Sequence, residues 1–236
     1  MKKITFIIST LLVIFSLNLR AQNNAGDTYT EERKIESFHS IDAEGVCNIF
    51  LKQGNKEALV LESKKDILDL IITDVRGGTL YIDWKKGSKV KKMSKLNIYI
   101  SYQSLESLEV DIVGNLQSDN TITADNFQIE FSGVGNIDLD LDCSNIDAEF
   151  SMVGNIELSG SADNVNLESN CTGNIDASSL IAKHLVLDNA SIGNVRVHAD
   201  ETISIESSGV GNVTYSGDAK VERLDSSGIG KIKSAN

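Results

Sequence analysis

The 236-residue chain is predicted to be all-β: a right-handed parallel β-helix of about seven coils, capped by a strand-rich N-terminal portion. Three observations predict it. Gly-Asn recurs at Gly114-Asn115, Gly135-Asn136, Gly154-Asn155, Gly173-Asn174, Gly193-Asn194 and Gly211-Asn212, with Gly230-Lys231 as a seventh copy, at spacings of 21, 19, 19, 20, 18 and 19 residues. Eight and six residues before the Gly stand apolar pairs such as Phe127/Ile129, Ile146/Ala148, Val165/Leu167, Leu185/Leu187 and Ile203/Ile205. Their alternation with polar residues marks a strand with one buried face. Apolar residues also stand two places after each Gly and one place before it, as at Ile137 and Val134, with Thr172 the exception before Gly173, which implies a corner after which the chain points inward again. Nineteen residues give roughly 60 Å of perimeter, enough for three short sides, and seven coils at ~4.8 Å each make a rod about 30 Å long. Right-handedness follows from the preference of parallel crossovers.

Taken in order, Met1-Lys2-Lys3, the apolar run from Ile4 to Leu19 and the small Ala21 read as a secretory signal at 1–21. Its removal takes the net charge from -12 to -15 and leaves no further stretch able to span a membrane. Residues 22–33 read as a flexible lead-in. Residues 34–112 lack the Gly-Asn period but carry strand patterns: Gly45 to Leu51, a return at Glu57 to Glu62, Leu80 to Trp84, and Leu96 to Tyr102. Lys65 to Thr73 fits either a helical turn or a strand, and Lys85 to Lys95 reads as a basic loop containing Lys89, Lys91 and Lys92. Gly45-Val46-Cys47-Asn48-Ile49 resembles a worn repeat with Cys in place of Gly. Residues 113–236 are the Gly-Asn array.

Within the array two columns stand out. The first is the ladder of Gly135-Asn136, Gly154-Asn155, Gly173-Asn174, Gly193-Asn194 and Gly211-Asn212, where Gly suits a positive φ and stacked Asn side chains can pass hydrogen bonds between coils. Lys231 and Lys233 put charge on an open last edge, which discourages end-to-end polymerisation. The second column stands five residues before each Gly: Glu109, Glu130, Glu149, Glu168, Asp188, Glu206 and Asp225. Stacked carboxylates repel, so the column must be hydrated, neutralised by cations such as Ca²⁺, or matched to a basic partner. A hydrated row that keeps the sheet soluble is the simpler reading.

Phe38-His39-Ser40-Ile41, the Gln53-Gly54 turn, Gly78-Thr79-Leu80-Tyr81-Ile82 and units such as Gly133-Val134-Gly135-Asn136-Ile137 occur here in this order. With them the chain, from about Lys34 onward, resembles the bacterial autotransporter adhesin, head GIN domain family. The resemblance implies an exported or envelope β-helical protein with no catalytic residues to carry over. After Lys233 the sequence leaves no room for a membrane barrel, so periplasmic, outer-membrane-associated and secreted locations are all open.

The residues point to binding over chemistry. The negative charge argues against nucleic acid or an anionic membrane as partner and permits a glycan or an envelope or host protein; oligomeric state is not readable. His39, His184 and His198 are scattered, and no nucleophile elbow, phosphate loop or dinucleotide motif is present. Cys47, Cys143 and Cys171 are odd in number and suggest free thiols, not a disulfide framework. Asn170, Asn189 and Asn212 open glycosylation-type triplets that carry little weight in a bacterial chain. The expectation is a non-catalytic exported module, with Glu130, Glu149, Glu168, Asp188 and Glu206 plus the row Asp138, Asp140 and Asp142 as the candidate binding face. The alternative is a polysaccharide lyase or glycosidase, which would need clustered carboxylates beside a base such as Arg196.

Overall fold

The computed structural model describes residues 28–87 and 94–235. The expected signal segment, residues 22–27, and Lys89, Lys91 and Lys92 lie outside those residues. From Leu116 onward the chain climbs a parallel column in which each strand pairs with the same stretch of the next repeat. Ile137 lies beside Ile156, Ile156 beside Ile175, Ile175 beside Val195 and Val195 beside Val213. This is a parallel β-solenoid of about seven turns.

From Ile137 to Ser207 each coil is one long strand, not two or three short ones, while the coils at either end divide into two, Leu116–Ser118 with Ile122–Val134 and Val213–Ser216 with Lys220–Ser226. β10 spans Ile122–Val134, β11 Ile137–Val153, β12 Ile156–Ser169, β13 Ile175–Asn189 and β14 Val195–Ser207. The strand bends with pairing kept on both sides of the bend, and the register shifts between Glu157 and Ser159, between Ala177 and Ile181 and between Ala182 and His184. In β11 Cys143 and Ile146 both point inward across Ser144-Asn145, so the alternation of buried and exposed residues slips there, while through the corner from Met152 to Ile156 it is kept. Two outer runs per coil result, and Ile137, Leu139, Leu141, Cys143, Ile146, Ala148, Phe150 and Met152 fill the interior of this one.

The corner glycines have φ between 137° and 157° from Gly114 to Gly230. A Cβ at Gly135 would lie 1.7 Å from the carbonyl oxygen of Gly114, so the stacking distance itself excludes a side chain. Beside them the Asn ladder runs the length of the molecule. The backbone N–H of Asn136 donates to Asn115 Oδ1 at 3.0 Å, Asn155 to Asn136 and Asn174 to Asn155 at 3.2 Å, Asn194 to Asn174 at 3.0 Å, and Asn212 to Asn194 at 3.2 Å. Lys231 ends it by donating its N–H to Asn212 Oδ1 while offering no acceptor of its own.

The N-terminal portion continues the same column downward. β2 (Ser40–Val46) and β3 (Asn48–Gln53) stack in parallel beneath β8 (Ser107–Val113) and β9 (Leu116–Ser118), which places Cys47 at the Gly position and Asn48 at the foot of the ladder. Asn48 Oδ1 accepts the N–H of Asn115 at 3.0 Å. Below them β6 (Thr79–Trp84) and β7 (Asn97–Tyr102) pair in parallel with β2 and β3. Cys47 stands where the later coils carry Gly, and its side chain is buried. Antiparallel strands then finish this end: β5 (Ile71–Arg76) on β6, β4 (Ala58–Ser63) on β7, and β1 (Tyr29–Arg33), inside the stretch read as a flexible lead-in, on β4. The helical turn α1 (Lys65–Leu68) adds Ile67 and Leu68 to the core. At the other end β16 (Lys220–Ser226) is exposed along its whole length.

The interior changes character along the axis. The column Phe131, Phe150 becomes Ser169, Asn189, Ser207. These buried polar groups satisfy one another: Ser169 Oγ donates to Asn189 Oδ1 and Asn189 Nδ2 donates to Ser207 Oγ, both at 3.0 Å. Asn189, which opens a glycosylation-type triplet, is therefore a core residue. Cys47, Cys143 and Cys171 are all buried free thiols.

Candidate binding face

The run from the bend to the Gly-Asn corner presents five parallel outward columns, because every second residue of each strand points out and each coil repeats the register. Starting at the bend, the first is Asn126, Asn145, Asn164 and His184; the second Gln128, Asp147, Asn166 and Val186. The third is the carboxylate column. Glu109, Glu130, Glu149, Glu168, Asp188, Glu206 and Asp225 are direct neighbours in successive coils, with Asp42 beneath them. The fourth is small: Ser132, Ser151, Asn170, Ala190 and Ser208. The fifth is Val113, Val134, Val153, Thr172, Ile192, Val210 and Ile229.

That fifth column corrects the expectation that both apolar residues flanking the corner point inward. Those after the Gly are buried, but Val113, Val134, Val153, Ile192 and Val210 are about half exposed and Ile229 is 75% exposed. The residue pointing inward is the one before, such as Ile112 or Met152.

Electrostatics follow the stacking. Burial and the neighbouring Asp42, Glu130 and Glu44 push the Glu109 carboxyl above its ordinary range, and burial with Asp83 does the same to Asp42, against the opposing Arg76. At the far end Arg223 pairs with Glu206 and with Asp225. Among the described residues no three His, Cys, Asp or Glu side chains are grouped to hold a metal ion.

The first two columns line a groove of about 940 Å³, together with Glu106, Asp125 and the bend residues. Its amides are ordered by hydrogen bonds along the axis: Asn145 Nδ2 donates to Asn126 Oδ1, Asn164 Nδ2 to Asn145 Oδ1, and Asn166 Nδ2 to Asp147 Oδ1, each at 2.9 Å. At its end His184 Nδ1 lies 2.9 Å from Thr202 Oγ1, with Glu201 3.5 Å from the other ring nitrogen. The sequence reading overlooked this groove, although Asn nine residues before the Gly in three successive coils was its signal.

Asp138, Asp140 and Asp142 do not join the carboxylate column. They lie on the other run of the coil, across the corner. Asp140 accepts a hydrogen bond from Thr121 Oγ1, and Asp142 Oδ1 accepts one from Ser161 Oγ at 3.0 Å. Asp138 stacks with Glu157, Asp176 and Arg196 in that order, so Arg196 is three rungs away, and its guanidinium is held by Asp176 at 3.1 Å. Ser178, chiefly, and then Arg196 draw the Asp176 carboxyl below its ordinary range.

Residues 37–219 match the family described as "Putative auto-transporter adhesin, head GIN domain". A crystal structure described as a putative adhesin from Bacteroides fragilis is similar over 88% of this chain and 97% of its own, at 32% identity and a TM-score of 0.85. Two more distant structures share the fold: a putative adhesin from Parabacteroides merdae, 15% identical over 90% of this chain and 98% of its own with TM-score 0.68, and a putative lipid binding protein from Parabacteroides distasonis, 21% identical over the same shares with TM-score 0.62. No protein of curated function matches. On the match to residues 37–219 and the similarity to the Bacteroides fragilis structure, the chain belongs to the auto-transporter adhesin head GIN domain family.

Proposed function

We propose that the chain is an exported, non-catalytic binding module that holds a hydroxyl-rich polymer, a glycan, in the groove beside its carboxylate column. The observation that carries this is the groove of about 940 Å³, where Asn126, Asn145 and Asn164 repeat a planar amide once per coil and Asp147 and Asp125 add acceptors. Amides that donate and accept side by side, with carboxylates that accept twice, are the groups that match sugar hydroxyls. Their interlocking hydrogen bonds fix them before a ligand arrives, which lowers the entropic cost of binding. A solenoid wall is rigid and repeats, so an extended chain can be gripped at several rungs.

The alternative of a lyase or glycosidase requires an acid and a base on one cleft. Arg196 is held by Asp176, and the opening of about 680 Å³ that Asp142 lines with Asp125, Asp163 and Asp200 has Lys183 as its base, already paired with Asp163. A glycan array with the mature chain tests the reading. Binding should be retained after Glu130→Gln and lost in Asn145→Ala/Asn164→Ala. Binding that survives the double Asn change would remove the groove, and release of reducing ends from a bound glycan would favour the enzyme.

A further inference from the structure

Beside that groove the same face carries a second, chemically different channel. The carboxylate column and the Val/Ile column run parallel on either side of the column Ser132, Ser151, Asn170, Ala190 and Ser208, small except at Asn170 and with Asp111 beneath Ser132. Four residues of strand separate the two walls, about 13 Å. One wall is anionic, with Arg223 pairing Glu206 and Asp225 at its far end, and the other is apolar, interrupted only by Thr172, and both are solvent-facing through successive coils. At its N-terminal end the channel runs into a pocket of about 590 Å³ lined by Val46, Val113, Ile72 and Trp84 on one side and by Glu44 and Asp111 on the other. Asp83 and Lys86 also line it. Gly45 makes this pocket possible: a Cβ there would lie 2.2 Å from the Trp84 ring.

We propose that this channel is a docking surface for a cationic amphipathic α-helix of a partner protein. Three features fix the occupant. The backbone positions of the two walls stand about 13 Å apart, so a helix of about 10–12 Å diameter lies over the middle column with one flank against each wall. The charge of the first wall selects Lys or Arg, and its repulsion of a second copy of this acidic chain, net charge -12, disfavours self-association on this face. The apolar wall selects Leu, Ile or Val on the adjoining helix face, with the Trp84 pocket taking one larger side chain. Six rungs from Val113 to Ile229 span about 29 Å, the length of a helix of roughly 19 residues. An exposed apolar stripe of this length on a soluble protein is otherwise a liability.

Trp84 is the single tryptophan of the chain, so its fluorescence reports occupancy of the pocket directly. The mature protein is titrated, at about 0.15 M salt, with a 19-residue Lys/Leu amphipathic helical peptide and with a scrambled peptide of equal composition. Saturable one-to-one binding with a shift of Trp84 emission is expected, about tenfold weaker for the scrambled peptide. Glu130→Gln/Glu149→Gln/Glu168→Gln should weaken binding about tenfold, and Val134→Thr/Val153→Thr by about fivefold. All these positions are solvent-facing, so unchanged circular dichroism serves as the folding control. Equal binding of the scrambled peptide, indifference to the Val changes, or no saturation overturns the proposal. So does equal binding of zwitterionic vesicles that is insensitive to the Gln changes, which would make the stripe a lipid surface. Asn145→Ala/Asn164→Ala should leave peptide binding unchanged, so this channel and the glycan groove stand or fall separately.

Discussion

Gly154→Ala is the sharpest perturbation of the stack. A Cβ at Gly154 would lie 1.6 Å from the carbonyl oxygen of Gly135 and 3.2 Å from Met152 Cε, on a backbone with φ of 144°. The coils cannot part to make room. Gly135 N–H donates to Val153 O and Gly154 N–H to Thr172 O, both at 2.9 Å, and every rung above and below repeats the pattern. Overpacking costs about 1–3 kcal/mol and the strained backbone roughly another 1–3 kcal/mol. For a domain of this size each kcal/mol is worth about 2–4 °C, so the melting temperature should fall by roughly 5–20 °C. Thermal melts followed by circular dichroism give the answer, with Gly54→Ala as control, because a Cβ at Gly54 meets nothing within 4 Å. A fall at Gly154 no larger than that at Gly54 would refute the argument that carbonyl stacking, not turn preference, puts glycine at every corner.

Other expectations follow from the same columns. Asn155→Ala removes the acceptor for the N–H of Asn174; because that N–H is exposed, water replaces much of the bond and urea melts should show a loss of about 0.5–1.5 kcal/mol. Glu109→Gln should stabilise at pH 7. A carboxyl whose folded pKa is raised contributes stability below its ordinary value of 4.5 and loses it as pH rises through the folded value. The gain, about 0.5 kcal/mol after solvent screening, should therefore vanish in melts at pH 4. Burial pushes the Cys47 thiol up to about 12, and Cys143 and Cys171 are also raised by burial. Iodoacetamide at pH 8 should consequently leave all three unlabelled in the native protein and label them in urea, as read by mass spectrometry. The carboxylate column, as a hydrated row, should give no rise in melting temperature with millimolar Ca²⁺; a rise of several degrees would make it a cation site.

Much of this architecture is legible in the sequence because the same physical demand recurs in every coil. The Gly column reports close stacking, the Asn column reports hydrogen bonding between coils, and even Cys47 keeps its neighbours Val46 and Asn48 in frame. The outward Val/Ile column is harder to read. At the corner the inward position is the residue before it, and in later coils that residue is Cys171, Ser191 or Gly209, which does not look like core. Asn189 is hidden for the same reason, since its burial depends on Ser169 and Ser207 arriving from neighbouring coils. The amide groove escapes a reading tuned to charge, because Asn126, Asn145 and Asn164 acquire meaning only when the register places them side by side. The acidic row at Asp138 to Asp142 misleads in the opposite direction: it is as acidic as the column at Glu130 but faces away from it.

Both binding proposals require one continuous banded face, in register over the whole array. Nitroxide labels at Glu109→Cys and Glu206→Cys, with the native thiols buried and unreactive, measure this by double electron–electron resonance. Five rungs separate the two positions, so the backbone separation is about 24 Å, and a single narrow distance consistent with it is the predicted result. A broad distribution, or a distance beyond about twice that value, would mean that the columns are not aligned and that neither the groove nor the channel exists as described.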